Sequence, residues 1–412
     1  MSDGAVSDVL RSDLRWTLPQ AAYTDPDVFA ADVEHVFARH WTFAGHSCEL
    51  GPGDWFRVTL GRDQVIVVRD QDGTLHAHHD VCAHRGSRVT TAERGTAKAF
   101  VCPYHQWVYG LDGCLRSARL MGDAFWNEYG TTAGVGLAPV AVRETAGLVF
   151  VCPAASSPAE APAFDGFADA AARHLAPHGL EHARVVARDR YRVAANWKTL
   201  VENNRECYHC RGSHPEFSLS NFEDGTHGDV RPNPRYDTAL AAARARWEVR
   251  GLATDEVSFP AGSWYRFTRL PLRDGFTTET LDGRLVAPVM GTLPDEDVGS
   301  LRVVGLPNLW AHANADYAMT TRLTPVDAGT TDVEVCFLVH ADARLTDGDV
   351  EALTAVWRAT SEQDWALCEA AYAGVASRGY RPGPLSPVVE ASVASFLDWY
   401  AARVTTTAAP AA

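Results

Sequence analysis

The chain has 412 residues, 46% hydrophobic and 10% aromatic, which is enough for substantial cores and too long for a single small domain. Its 37 basic and 52 acidic side chains give a formal charge of −15 with no basic run, which argues against nucleic acid and anionic membrane as partners. The polar start from Met1 to Asp13 lacks the apolar segment of a secretory signal and no stretch approaches a bilayer span, so a cytoplasmic protein is expected, its nine cysteines serving as thiols or metal ligands rather than disulfides.

In chain order, Asp25-Pro26 opens a helix whose apolar face carries Phe29, Val33, Val36 and Phe37, and which ends near Trp41. Residues 1–40 are expected to form a helical segment packed on the C-terminal domain. From Asp54 to Asp80 the pattern turns to strands, DWFRVTL, QVIVVRD and TLHAHHD, with a turn at Gln71-Asp72-Gly73, and begins an all-β domain over 41–153. His76, His78 and His79 alternate faces there and read as ordinary strand residues. Two short loops then carry Cys82-x-His84 and Cys102-x-x-His105. Structural zinc would show paired Cys-x-x-Cys or His-x-x-x-His hooks, whereas two Cys and His pairs suit two thiolates on one iron and two imidazoles on the other, the Rieske [2Fe–2S] arrangement. A Pro- and Ala-rich stretch after Cys152 marks the exit from this domain.

The segment from Asn196 to Pro215 is expected to be helical at first, with Trp197, Leu200, Val201 and Tyr208 at helical spacing and Glu202, Glu206 and His209 on one stripe. Gly212 reads as a C-cap and Pro215 cannot continue the helix, so the chain can turn and bring His214 back beside His209. Two imidazoles beside a carboxylate are the makings of a facial triad for non-haem Fe(II). Asn203, next to the stripe, either lines that pocket or sits on the helix surface. Cys207 and Cys210 flank His209 and read as small buried thiols rather than a redox pair. The Arg-, Asp- and Gly-rich segment from Asn221 to Glu256 lacks periodicity and reads as a mobile lid or entrance loop.

Further strands are expected at 185–193, 264–270, 301–306, 317–323 and 333–340, making 154–412 an α+β domain with an antiparallel sheet covered by helices. Thr346 and Asp349 form a capping box that opens a helix with Val350, Leu353, Trp357 and Asp364 on one stripe. A carboxylate on a core-facing stripe is costly to bury without a cation. A last helix is expected from Pro387 to Arg403.

Taken together, these motifs resemble the catalytic subunits of Rieske non-haem iron oxygenases, the aromatic-ring-hydroxylating dioxygenase family, over nearly the whole chain. The resemblance implies a [2Fe–2S] cluster on Cys82, His84, Cys102 and His105, and a helix-grip catalytic domain. It also implies mononuclear Fe(II) on His209, His214 and the Asp364 of Ser361-Glu362-Gln363-Asp364. It implies O2 as co-substrate, electrons from NAD(P)H through a separate flavin/iron–sulfur reductase or a ferredoxin, and a homo-oligomer, a trimer. In it Glu206, where most ring hydroxylases have Asp, would link His84 or His105 of one subunit to His209 of the next. Glu-Cys-Tyr-His-Cys and Leu306-Pro-Asn-Leu-Trp310 with Asp316-Tyr317 are similar to the branch acting on quaternary ammonium compounds, which implies N-demethylation or hydroxylation of a small amine. Trp264, Tyr265, Phe267 and Trp310 are candidates for an aromatic cage, although strand alternation forbids Trp264 and Tyr265 from facing inward together. Ring hydroxylation or N-oxygenation of an aromatic amine is the alternative chemistry. A plain Rieske electron carrier, the alternative of another class, would not need His209, His214 and Asp364.

Overall fold

Asp25 caps the helix that Pro26 begins, its side chain accepting the Asp27 N–H at 2.8 Å. In this computed structural model, which describes residues 15–129, 135–222, 233–259 and 263–405, a short helix α1 (Gln20–Thr24) precedes that helix, α2 (Pro26–Asp32). A π-helical continuation ends at Ala38, short of Trp41. The chain divides into two units, Phe37–Phe164 and a second formed by the segment up to Val36 with Asp165 onward, rather than at 41 and 153.

The Phe37–Phe164 unit holds β1 (Thr42–His46), β2 (Asp54–Leu60), β3 (Asp63–Arg69), β4 (Leu75–His79), β5 (Arg94–Thr96), β6 (Phe100–Val101), β7 (Val108–Tyr109), β8 (Leu115–Ser117), β9 (Ala141–Thr145) and β10 (Leu148–Cys152), and the helix α3 (Gly122–Tyr129). They form antiparallel sheets in the orders β4-β3-β2-β5, β1-β10-β9 and β6-β7-β8. The run Val65-Ile66-Val67-Val68 does not alternate with polar residues because β3 is covered on both faces. Val65 and Val67 join a core with Phe56 and Val149, while Ile66 and Val68 join another with Cys82, Cys102 and Trp107.

The second unit is built on a seven-stranded antiparallel sheet of β11 (Ala183–Val193), β12 (Val257–Ser258), β13 (Tyr265–Leu270), β14 (Ser300–Gly305), β15 (Leu309–Ala313), β16 (Tyr317–Asp327) and β17 (Thr330–His340), ordered β11-β17-β16-β15-β14-β13-β12. The helices are α4 (Asp165–His174), α5 (Trp197–Asn204), α6 (Cys210–Ser213), α7 (Phe217–Ser220), α8 (Pro234–Val249), α9 (Asp347–Val375) and α10 (Ala391–Thr405). Pairing fixes which side chains share a face: Arg266 lies opposite Val304 and Val304 opposite Trp310, and Arg302 lies opposite His312. That face meets α9, with the His312 and Trp310 rings 4.4 and 6.4 Å from those of Trp357 and Trp365. The other face meets α4, where Phe167 packs against Tyr265, Phe267 and Trp264. The expected cage is therefore corrected. Tyr265 and Phe267 belong to the back face with Trp264, and from that set Trp310 alone faces α9.

Two other expectations are corrected. The segment read as a loop over 221–256 contains the 16-residue helix α8, begun by Asn233 accepting the Tyr236 N–H and by Pro234 at its first position. Its few buried residues, Tyr236, Ala243 and Trp247, leave almost no apolar stripe to read, and positions 223–232 of the expected lid lie outside the described residues. The last helix starts at Ala391 instead of Pro387.

The unit is tied together at Asp32, which is fully buried. Its carboxylate pairs with the Lys198 ammonium and accepts Trp197 Nε1–H at 3.0 Å and Tyr400 O–H at 2.7 Å. One buried charge pair thus joins α2, the start of α5 and α10, with its spare lone pairs satisfied.

Candidate metal centres

Asn196 begins α5 by accepting the Lys198 N–H at 3.0 Å, and its amide donates to the carbonyls of Tyr23 and Ala328. The helix stops at Asn204, where Arg205 N–H closes a tight turn on Glu202 O. Two consecutive asparagines, 203 and 204, are poor helix formers and favour that stop. The expected stripe of Glu202, Glu206 and His209 therefore does not exist. Glu202 is half-buried and accepts the Tyr23 hydroxyl at 2.8 Å, desolvation raising its carboxyl to about 7, whereas Glu206 lies in the turn. Gly212 does not cap the helix either; it lies inside α6, which His209 opens and His214 closes. The turn at His214-Pro215 still delivers the expected result, with the two imidazole rings 5.0 Å apart and nearly perpendicular.

Asp364, midway along α9, brings Oδ1 to 3.2 Å from His209 Nε2 and 3.0 Å from His214 Nε2. Neither His214 Nε2 nor Asp364 Oδ1 has a hydrogen-bond partner, although both are buried. Unsatisfied buried donor atoms facing one point are what a metal ion would satisfy, and two imidazoles with one carboxylate suit ferrous iron with open positions left over. The other ring nitrogens are fixed: His209 Nδ1 lies 2.6 Å from Glu206 Oε1, and His214 Nδ1 lies 2.9 Å from Gln363 Oε1. Gln363 in turn donates to Glu216 Oε2 at 2.8 Å. Acceptors at Nδ1 hold the proton there and turn both Nε2 lone pairs toward the shared point. Burial opposes charge on His209, but Asp364 and Glu206 outweigh it and raise the imidazole to about 9. The site favours a cation.

Asn203 is drawn in as well, its amide nitrogen 3.4 Å from His209 Nε2. The expectation of free thiols at Cys207 and Cys210 is overturned: they are joined as a disulfide, so Cys210 is no candidate ligand despite lying beside both histidines. The two Cα atoms lie 4.9 Å apart, within reach of a bridge.

The two loops of the β unit have matching construction. Cys82 O accepts the N–H of Gly86, and Cys102 O that of Gln106; both fourth residues adopt positive φ, +74° and +60°. Each loop buries its thiol and presents its imidazole near the surface: Cys82 and Cys102 are 3% and 1% exposed, and the His84 and His105 rings meet at 4.5 Å. Trp107 stacks under His84 at 4.7 Å, and the Tyr109 hydroxyl lies 3.1 Å from Cys82 Sγ. His84 Nδ1 is buried without a partner. Two sheltered thiols and two imidazoles, one with an unsatisfied nitrogen, fit a Rieske cluster. His76, His78 and His79 lie elsewhere, bonded to Asp70, Leu111 O and Pro153 O.

Residues 40–126 match the Rieske [2Fe-2S] domain and residues 180–406 match the ring hydroxylating alpha subunit, catalytic domain. The chain belongs to that family of Rieske oxygenase alpha subunits. It is 40% identical over 401 residues to the glycine betaine monooxygenase oxygenase subunit of Chromohalobacter salexigens, covering 96% of this chain and 88% of that one. It is 38% identical over 408 residues to the subunit of the same description from Pseudomonas aeruginosa, covering 97% and 92%. Among solved structures, the quaternary ammonium Rieske monooxygenase CntA in complex with L-carnitine superposes with a TM-score of 0.70 at 22% identity, covering 98% of this chain and 99% of that one, a likeness of fold. As a Rieske oxygenase alpha subunit, this protein is an oxidoreductase that uses a [2Fe–2S] cluster and mononuclear iron with O2. Its relatives are named oxygenase subunits, which implies a separate electron-donating reductase. Among the described residues, no helix is long and apolar enough to cross a membrane.

Some residues at these centres were not legible beforehand. Gln363 and Glu216 orient His214 but are separated from each other by 147 positions, and Tyr109 on β7 and Trp107 just before it support the Cys82–His84 loop. The buried Glu279, bonded to His312 and Asn314, comes from a loop with no motif.

Proposed function

We propose that this Rieske oxygenase oxidises an N-methyl group of a small quaternary ammonium compound, with glycine betaine as the leading candidate. The observation that carries the reading is end-to-end similarity at 40% identity to a glycine betaine monooxygenase oxygenase subunit. The donor geometry supports it. His209, His214 and Asp364 would hold the iron, and Cys82, His84, Cys102 and His105 the cluster. Bound there, the two centres supply O2 activation and one-electron transfer. This chain's own residues set the surroundings: Glu206 and Gln363 keep the Nδ1 protons in place, Asn203 offers an amide beside His209, and Trp310 and Trp365 provide aromatic faces on the same side of the sheet.

The reaction balances as one trimethylammonium cation, O2, two electrons and two protons giving a hydroxymethyl ammonium and water; loss of a proton and formaldehyde then leaves the dimethylamine. The electrons come from a reductase. In a homo-oligomer, a trimer, Glu206 is the residue through which they would reach His209 from His84 or His105 of a neighbouring subunit, and the cytoplasm is the compartment that suits the thiolate ligands.

The test is oxygen uptake by holoenzyme and a reductase with glycine betaine, with formaldehyde and dimethylglycine quantified by mass spectrometry. Equimolar appearance of both products is expected. Efficient conversion only of arenes or aromatic amines would overturn the substrate class and leave the oxygenase intact.

A further inference from the structure

We infer that Arg205 is the receptor for a carboxylate on the substrate, so that the enzyme selects zwitterionic betaines over quaternary ammonium alcohols and amides. The inference rests on the quaternary ammonium reading and narrows it. Arg205 is 2% exposed, yet its Nε and Nη1 have no hydrogen-bond partner, and its described side-chain bond is from Nη2 to the neighbouring Asn204 amide oxygen. No carboxylate among the described residues pairs with it. A guanidinium buried without an anion is among the costliest arrangements a fold can keep, and removing such a cost is what a bound anion does.

The location suits a substrate. Arg205 closes α5 between Asn203, 3.4 Å from His209 Nε2, and Glu206, 2.6 Å from His209 Nδ1. Its side chain is within electrostatic reach of Arg266 and His312, which belong to the face of the sheet that meets α9 and therefore Asp364. The anion would thus sit on the same side of the sheet as the donor triad.

The neighbouring charges do not supply the missing partner. Arg266 is bonded to Glu256 at 2.9 Å and to Thr268, and Arg302 donates to Asn221 at 2.7 Å. The buried carboxylate of Glu279 is engaged by His312, 3.2 Å from each oxygen, and by Asn314 at 3.0 Å. Burial would raise the Glu279 acid, but His312, Arg302 and Asn314 hold it at about 2, so it stays ionised. Among the described residues Arg266 is thus matched by Glu256 and Arg302 lies within electrostatic reach of Glu279, whereas Arg205 has no carboxylate. Burial and the Arg266 charge push its guanidinium down to about 9, a position from which a carboxylate would restore it. A surplus cation also repels a substrate whose only charge is its ammonium, which separates a betaine from an alcohol such as choline.

The experiment compares glycine betaine with its carboxamide, which keeps the trimethylammonium and the shape but not the negative charge. Calorimetry under argon on holoenzyme gives affinity without turnover, and formaldehyde release with a reductase gives kcat and KM. The wild type is expected to bind the betaine about 100-fold more tightly than the amide, because a charge-assisted contact is lost and a buried donor is left unpaired. Arg205→Gln is expected to abolish that preference through KM for the betaine, with kcat and amide affinity within a few-fold and iron and cluster contents unchanged. Arg205→Lys is expected to keep part of it. Equal binding of betaine and amide by the wild type would overturn the assignment even if Arg205→Gln failed to fold. So would a preference that survives in Arg205→Gln, or in Arg205→Lys an equal loss for both ligands. Failure of the wild type to bind or demethylate either compound would instead bring down the quaternary ammonium reading, and the inference with it.

Discussion

The two centres are built by opposite strategies. In the β unit each loop is local: within five residues a cysteine, a histidine and a positive-φ residue close on one backbone hydrogen bond, and two such loops face each other. In the second unit no short segment suffices, since His209 and His214 come from a turn and Asp364 from a helix 150 residues later. The local centre shelters its sulfurs and shows its imidazoles to solvent, whereas the distributed one is held by acceptors at Nδ1 and by a 29-residue helix. Local centres stand or fall with their own loops. Distributed centres depend on whatever aligns the elements.

The largest effect tests that contrast at the local centre. Cys102→Ser is expected to remove the cluster and all turnover while the mononuclear iron content stays near one per chain, because the donor sets are disjoint. Retention of the reduced-state Rieske EPR signal by the purified variant would refute the ligand assignment. Asp364→Ala should do the reverse, keeping cluster colour and losing the other iron along with activity. Iron analysis against acid-labile sulfide reads it out, and an unchanged ratio with activity retained would dismantle the triad.

The same contrast explains what could be read from the residues. Cys82-x-His84 and Cys102-x-x-His105 were legible because local geometry is written in local spacing. Strands such as β3 and the Thr346 capping box were legible for the same reason, the strand as a β-branched run between turn residues and the cap as a four-residue signature. β15 was not, because all five of its residues from Leu309 to Ala313 are buried and no alternation marks a strand. The Glu202, Glu206 and His209 stripe failed because two asparagines and a tight turn at Arg205 overrode a helical period. Arg205 itself was invisible, since a lone arginine at the end of a helix is normally solvated and its burial is a tertiary fact.

Smaller effects probe how the distributed centre is aligned. Gln363→Leu removes the acceptor at His214 Nδ1, which should weaken iron binding by about 10- to 100-fold while leaving the cluster untouched. Iron titration of the apo centre decides the matter; an affinity equal to wild type would mean that Gln363 is only packing. Glu206→Gln is milder, because an acceptor remains at His209 Nδ1 and only its charge is lost. Both metals should be retained, with single-turnover oxidation of the reduced cluster slowed by about 10-fold. A wild-type rate would exclude Glu206 from the electron path, and full activity in a monomer would exclude transfer between subunits.

The smallest effect separates alignment from stability. Thr346 accepts the Asp349 N–H at 3.2 Å and Asp349 accepts the Thr346 N–H at 2.8 Å, a complete capping box at the start of the helix that carries Asp364. Thr346→Ala should cost about 1 kcal/mol. For a unit of this size that lowers the melting temperature by about 3 °C. Asp364 lies far along the same helix, where Trp357 and Trp365 anchor it against the sheet and the Arg358 guanidinium bonds Asp189 at 2.9 Å. Those contacts, not the cap, fix the carboxylate. Iron affinity and kcat in Thr346→Ala should therefore equal wild type at 25 °C. If iron affinity instead fell in step with the melting temperature, the distributed centre would be governed by global helix stability, and the contrast with the self-contained cluster loops would be one of degree only.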